Sequence, residues 1–587
     1  MKKINSLITA FFLAALISVN AQEPMGKMAS LNDDGTISVT SVPLSSFSNT
    51  QESLLPADLM FSFGKPANPQ IKNSRGVTLA DVNNDGTEEI IYGINTTLYV
   101  LNGDGTVLFE KAVEGPILLP PTVVDLNDDG TVEIIINTGY PTTVGRVYLT
   151  DNEGNDLPGW PLNFENKWMI NAPAVADVDG NGTLDIVTGE RFGSTQGFVH
   201  ALNMDGTEIN DGWPVEIPAT PAFTPSIGDV DNDGSNDVVI AASSGGMYVF
   251  NSDGEVLDGF PVVDPAVKYS YQSPILANVD DDDELEIIGS NHGDAAAFYV
   301  MNHDGTYADG WPIARPGWTF SPATVLDIDG DDVFEIFMSD RDSSTDGSDL
   351  PTVYGLTPEG ENIANFPIEK YGGTEGVLSI ADINNDDVLD IIFPSTLTDA
   401  EGLGFIHAYA MDGSGELDGF PLRPYGFTFL NGAVLGDVDN DGMLDLTANT
   451  YTLNFGADVD STFVNTYNLN VPYNADKILR NGYKGNNTRD GLVTLDVTLA
   501  TPDFSEAISL SISPNPSEGI LRLELPISIE AADVKIFSID GKVVFSETTS
   551  LTENTNRQFD LRNLKSGLYL VNVSDGKNNY TGKWIKQ

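Results

Sequence analysis

The chain contains no cysteine. Disulfides, thiolate metal sites, iron–sulfur clusters and cysteine nucleophiles are therefore excluded. Histidine is nearly as scarce. Four in 587 residues leave few candidates for a zinc site or a histidine-based triad. Positive charge is short: Lys and Arg total 28 against 87 Asp and Glu, for a formal charge of −59. So acidic a chain repels nucleic acid and anionic lipid, and neither is an expected partner. Long apolar runs are also missing. The one near the start, Leu7–Ile17, falls short of the roughly 20 residues that cross a bilayer, and none later is longer. What remains is a folding composition, with 41% hydrophobic and 20% charged residues. At about 150 residues per domain, three or four domains are expected unless a closed β architecture runs longer. The acid excess needs its own cause, and divalent cations are the first candidate.

The two ends read as export signals. Lys2 and Lys3, the short apolar run and Val19-Asn20-Ala21 form a secretory signal peptide over 1–21, giving a mature start at Gln22 and no membrane span in the mature chain. Residues 507–587 hold nine acids and nine bases, so all the negative charge lies upstream. Short alternating runs at Leu521–Leu525, Val534–Phe537 and Leu568–Val573, with Asp540-Gly541 and Asp575-Gly576 between them, predict a small antiparallel β-sandwich, Ig-like in class. Ile512-Ser513-Pro514-Asn515-Pro516, Ile539-Asp540-Gly541-Lys542, Ser566-Gly567-Leu568-Tyr569-Leu570-Val571 and Lys583 follow one another in order. This series resembles the C-terminal sorting domain of the type IX secretion system of Bacteroidota. The resemblance implies export by Sec and then by the type IX machinery, which becomes a partner, to the cell surface or the medium. The tail of such proteins is usually cleaved.

Between the ends lies an eight-fold repeat. The loop Asp-x-Asp-x-Asp-Gly-x-x-Asp/Glu starts at Asp81, Asp125, Asp177, Asp229, Asn278, Asp327, Asp382 and Asp437, with spacings of 44, 52, 52, 49, 49, 55 and 55 residues. Each unit reads as a small apolar run, the loop, a β-branched strand such as Leu184–Val187, a Gly-led strand such as Gly197–Leu202, and an Asp-Gly hairpin such as Asp205-Gly206. Most units close on Trp160-Pro161, Trp213-Pro214, Phe260-Pro261, Trp311-Pro312, Phe366-Pro367 or Phe420-Pro421. Four strands per roughly 50 residues, with no helical period, predict an all-β chain whose body is a β-propeller. A solenoid is the competing reading. Eight loops predict eight blades. Seven is the alternative, because the outer strands after Leu446 are poorly marked. The expected division is an N-terminal segment at 22–70, whose 28–40 hairpin helps to close the ring, a propeller at 71–490, a linker at 491–506 and the sorting domain at 507–587.

The loop chemistry points to calcium. A tight loop converges its odd positions on one point. In Asp229–Asp237, carboxylates come from Asp229, Asp231 and Asp233, a carbonyl from Ser235 and a closing carboxylate from Asp237. The corresponding sets are Asp81, Asn83, Asp85, Thr87 and Glu89; Asp125, Asn127, Asp129, Thr131 and Glu133; Asp177, Asp179, Asn181, Thr183 and Asp185. They continue with Asn278, Asp280, Asp282, Glu284 and Glu286; Asp327, Asp329, Asp331, Val333 and Glu335; Asp382, Asn384, Asp386, Val388 and Asp390; and Asp437, Asp439, Asp441, Met443 and Asp445. All-oxygen shells with several carboxylates suit a hard cation, and flexible ones suit Ca2+ over Mg2+. Position six is glycine because the chain turns there with positive φ; Asp283, Asp332 and Asp387 replace it in three loops. These loops resemble the FG-GAP and VCBS repeats over about 81–445. The Gly-Ala-Pro element of that family is not kept, so integrin-like ligand binding is not carried over. An EF-hand is rejected because its closing acid sits at position twelve. Up to eight calcium ions, mainly structural, are expected.

No nucleophile elbow, HExxH or phosphate-binding glycine loop is present, so no catalytic residue is assigned. His200 and His407 hold equivalent strand positions and are read as packing residues, whereas His303 lies at a hairpin tip and is expected in solvent. The face opposite the acidic loops collects Trp168, Arg191, Tyr269, Tyr271, His292, Trp318 and Arg341 as candidate ligand-binding residues, since aromatics with a few polar groups suit sugars. The expected function is an exported, calcium-stabilised, non-catalytic binding or adhesion protein for an extracellular glycan or surface protein. The alternatives are a calcium-dependent polysaccharide lyase and a passive surface scaffold.

Overall fold

Each acidic loop joins a strand of three residues to a longer one buried on both faces. In the fourth repeat these are Ser226–Gly228 and Asp237–Ala242. Burial on both sides is why the second strand, Asp-Val-Val-Ile-Ala-Ala, reads as an unbroken apolar run rather than an alternation. A third strand, Gly246–Phe250, pairs with the second, and a short Val262–Val263 pairs with the third. The computed structural model describes residues 25–495 and 510–587, save 33–35, 45–56, 69–74, 141–143, 193–195, 219, 222–223, 244, 270–272, 281, 316–321, 345, 454–458, 526, 539–541, 553–554 and 575–578. The signal peptide lies outside the described residues. Among them there are strands and two short 3-10 turns but no α-helix. No helix is long and apolar enough to cross a membrane. The chain divides into two units after Leu495.

Eight sheets of the same plan follow one another in the first unit, opening at Thr78, Thr122, Ala174, Ser226, Ile275, Thr324, Ser379 and Val434. The opening strand of the last, Val434–Gly436, lies beside that of the first, Thr78–Ala80, so the series closes on itself. The body is propeller-like and all β. The last sheet takes its fourth strand from far upstream: Asp58–Pro66 pairs with Ser461–Pro472. The hairpin Met25–Leu31/Ile37–Pro43 has a different place from the one expected of it. It pairs with Leu397–Thr398 and buries Ala29, Leu31 and Ile37 against Phe427, Phe429 and Tyr451.

The recurrent Trp-Pro links neighbouring sheets. Trp160 Nε1 donates to the carbonyl of Met204 at 2.9 Å, Trp213 to Ser252 at 2.9 Å and Trp311 to Pro358 at 2.6 Å. Each acceptor is in the hairpin of the next sheet, so the ring of the indole is buried and its one donor satisfied.

Residues 475–495 run along the opening strands of the sheets. Ile478–Arg480 pairs with Ile380–Ala381 of sheet seven. The carbonyls of Thr488, Asp490 and Gly491 accept the N–H groups of Val175, Ile227 and Leu276 in sheets three, four and five. Asn481 bonds both N–H and carbonyl of Leu435 in sheet eight, and Asn487 bonds the Leu79 carbonyl in sheet one. One segment thus satisfies backbone groups of six of the eight sheets. Residues 491–495, assigned to the linker by composition, belong to it.

The second unit has two antiparallel sheets, of three and four strands, around Leu521, Leu523, Val534, Ile536, Phe559, Val571 and Trp584.

Candidate metal loops

The fourth loop shows how the pattern folds. Asp229 accepts the N–H groups of Asp233 and Gly234 at 2.9 Å each. Asp233 accepts the Ser235 N–H at 2.8 Å, and Asp237 accepts the Val230 N–H at 2.9 Å. These bonds bend the loop so that ligand atoms of Asp229, Asp231 and Asp237 lie within 4.8 Å of one another. Like charges this close either raise one another's pKa or call for a counter-charge.

The closing bond recurs in all eight loops. One oxygen of Glu89, Glu133, Asp185, Asp237, Glu286, Glu335, Asp390 and Asp445 accepts the N–H of the apolar residue at position two, at 2.8 to 3.1 Å. In four loops the other oxygen is buried with no hydrogen-bond partner: Asp185 Oδ1, Glu286 Oε1, Asp390 Oδ1 and Asp445 Oδ1. Asp231 Oδ1 is in the same condition. An unpaired buried carboxylate oxygen is costly, and a cation among the loop's other oxygens satisfies it. The donor set is one that could hold a metal ion through oxygen. Burial, reinforced by neighbouring carboxylates, pushes every closing acid up. Asp185 rises to about 6, Asp237, Asp390 and Asp445 to about 7, and Glu286 to about 8. Glu89, Glu133 and Glu335 shift in the same direction.

Position six turns with positive φ as the sequence requires, and Asp332 and Asp387 take that geometry at +67° and +65°. Asp283 does not: it is absent from the left-handed residues, and loop five is built differently. There the first residue, Asn278, donates its amide to the Asp282 carbonyl. Position four was not recognised as special, yet it is left-handed in the other seven loops: Asn84, Asp128, Gly180, Asn232, Gly330, Asn385 and Asn440. The signal was there, since only Asn, Asp and Gly occur at these positions. Loop seven carries a cation of its own chain. Lys477 Nζ lies 2.6 Å from Asp382 Oδ2 and 3.0 Å from Asp387 Oδ1. Burial opposes it, but Lys477 and two backbone N–H groups hold Asp382 below the usual carboxylate range.

The opposite face is less uniform. Trp168 is half-buried, exchanges backbone hydrogen bonds with Arg191 at 2.9 and 3.0 Å, and meets Tyr140 edge-on at 5.0 Å. Tyr269 and His292 are not on an open face: they are 2% and 1% exposed. Tyr269 packs edge-on against Tyr299 at 5.6 Å, and His292 pairs with Lys268 in a two-residue strand, where burial pushes its imidazole down to about 3. Arg341 is engaged inside, 3.1 Å from buried Glu375 and 3.0 Å from the Leu31 carbonyl. Tyr271 and Trp318 lie outside the described residues. His200 and His407 each turn Nδ1 to a glutamate further along the chain, Glu208 and Glu416.

A model of the FG-GAP-like repeat matches residues 125–188, and one of the secretion system C-terminal sorting domain matches residues 511–587. The chain thus carries FG-GAP-like repeats and a type IX sorting tail, which marks it for export to the cell surface or beyond. No curated protein matches it. Among solved structures it is similar to the biofilm matrix protein Bap1 of V. cholerae, at 13% identity and a TM-score of 0.46, over 75% of this chain and 96% of that one. It is also similar to BBS1N in complex with ARL6DN, at 12% identity and a TM-score of 0.35, over 57% and 94%. A protein of unknown function from Bacteroides caccae matches at 10% identity and a TM-score of 0.27, over 49% and 94%.

Proposed function

We propose that the protein is an exported eight-bladed propeller, held firm by calcium in its acidic loops, that binds a glycan or a cell-surface partner without catalysing a reaction. The observation that carries the calcium reading is the closing bond common to all eight loops. It fixes one carboxylate oxygen on the backbone, and in the loops closed by Asp185, Glu286, Asp390 and Asp445 the other is buried without a partner, which supports an ion there. Calcium bound there supplies positive charge. The carboxylates at positions one, three and five, the carbonyl at position seven and the closing acid would hold it. The loops fill their own shells, so the ion is structural and the partner binds elsewhere. The Tyr140–Trp168 corner, where Trp168 pairs through the backbone with Arg191, supports a sugar ligand: an indole offers its face to C–H groups.

The test is retention of the mature chain on a panel of polysaccharides, in calcium and in chelator, with unsaturated sugar products read in the same wells. Calcium-dependent retention that Trp168→Ala weakens at least tenfold is expected. Product release would replace this reading by a lyase. Retention unaffected by Trp168→Ala would remove that corner from the binding site.

A further inference from the structure

We infer that loop five carries a second kind of metal site, for a divalent transition ion such as Zn2+, built from Asp282, Glu284 and His303. One ligand atom of each lies within 4.8 Å of the others. His303 comes from the hairpin between the third and fourth strands of sheet five, at a position filled by Gly103, Asn152, Met204, Ser252 and Pro358 in other sheets. Its ring is half-buried at the hairpin tip: Nδ1 is shut off from water and has no hydrogen-bond partner. Glu284 stands where the repeat asks only for a backbone carbonyl; its Oε2 accepts the Asp283 N–H at 3.2 Å, and Oε1 is left for an ion. Loop five is also the one that departs from the common plan, through Asn278 at position one and Asp283 at position six. Calcium takes oxygen donors alone, whereas two carboxylates and an imidazole form a mixed oxygen and nitrogen set that suits zinc or manganese. Asp282 also belongs to the all-oxygen group with Asp280 and Glu286, so one carboxylate serves both sites. An ion here ties the hairpin to the loop, which no other repeat can do with these residues.

The experiment counts zinc retained by the full chain after gel filtration in saturating calcium, with the calcium content measured on the same fractions. One zinc per chain is expected. His303→Asn, which places at 303 the residue found at 152, should weaken zinc at least tenfold and leave the calcium content unchanged, and Glu284→Gln should also weaken zinc at least tenfold. Cobalt in place of zinc should give a visible absorption band that His303→Asn abolishes. No retained zinc, or equal zinc on His303→Asn, would overturn the assignment, the latter by showing that the acidic loops alone take the ion.

Discussion

The ring of acidic loops and the segment 475–495 both border the opening strands of the sheets, and they use charge in opposite ways. The loops place 27 carboxylates at positions one, three, five and nine and leave buried oxygens without partners. The segment brings Lys477, Arg480, Lys484 and Arg489, and the protein itself supplies acceptors to its two most buried cations, with Arg489 Nε alone left without one. Arg489 donates to the carbonyls of Tyr483 and Asn486 and to Thr78 Oγ1; Lys484 donates to the Pro225 carbonyl and to Ser226 Oγ. One region meets most of its charge within the polypeptide, and the other leaves carboxylate oxygens that a cation could satisfy. Stability should therefore have a calcium-dependent part and a calcium-independent part that mutation can separate.

The largest effect should come from removing calcium. A site held at ten times its dissociation constant adds about 1.4 kcal/mol, so eight independent sites add on the order of 10 kcal/mol. Calorimetric melts in calcium and in chelator should differ accordingly. Next comes Arg489→Met, which strips donors from buried oxygens and should cost about 3 kcal/mol. Urea unfolding should show the same loss in calcium and in chelator; a loss confined to calcium would merge the two regions into one.

A smaller effect should change character between conditions. Asp237→Asn keeps an acceptor for the Val230 N–H but removes one ligand charge. It should cost about 1 to 2 kcal/mol in calcium and nothing in chelator, where burying a neutral amide is easier than burying a carboxylate. The smallest is a pH effect. The closing acids hold their protons more tightly folded than unfolded, so between the ordinary value near 4 and about 7 to 8 the folded calcium-free protein carries more protons. Its stability should fall as pH rises through that window. In calcium the trend should reverse, because the ion displaces those protons. Melts at pH 5 and pH 8 in both conditions measure the crossing.

Much of the loop ring was legible because repetition multiplies a weak local signal. The Asp-x-Asp pattern, the buried strand after it and the Asp-Gly hairpin each recur with the same neighbours. The Trp-Pro motif was legible as punctuation, but its donor to the next sheet is a contact between repeats that no single repeat encodes. The segment 475–495 was not legible. Asn-Gly-Tyr-Lys-Gly-Asn-Asn-Thr-Arg-Asp-Gly straddles the expected boundary between propeller and linker and shows no strand period, and the segment's order comes from backbone groups supplied by six sheets. Asp58–Pro66 was hidden for the same reason, since its partner lies some 400 residues away. On the opposite face, Tyr269 and His292 show the limit of placing a residue by strand position: the right end of a strand does not say whether a neighbouring sheet covers it.

The most direct measurement is a count of calcium on the intact mature chain by native mass spectrometry, before and after chelation. One ion for each acidic loop, eight in all, lost to the chelator together with the thermal stability, is the expected result. A chain that carries no calcium when purified in it, and melts at the same temperature with and without chelator, would contradict the account.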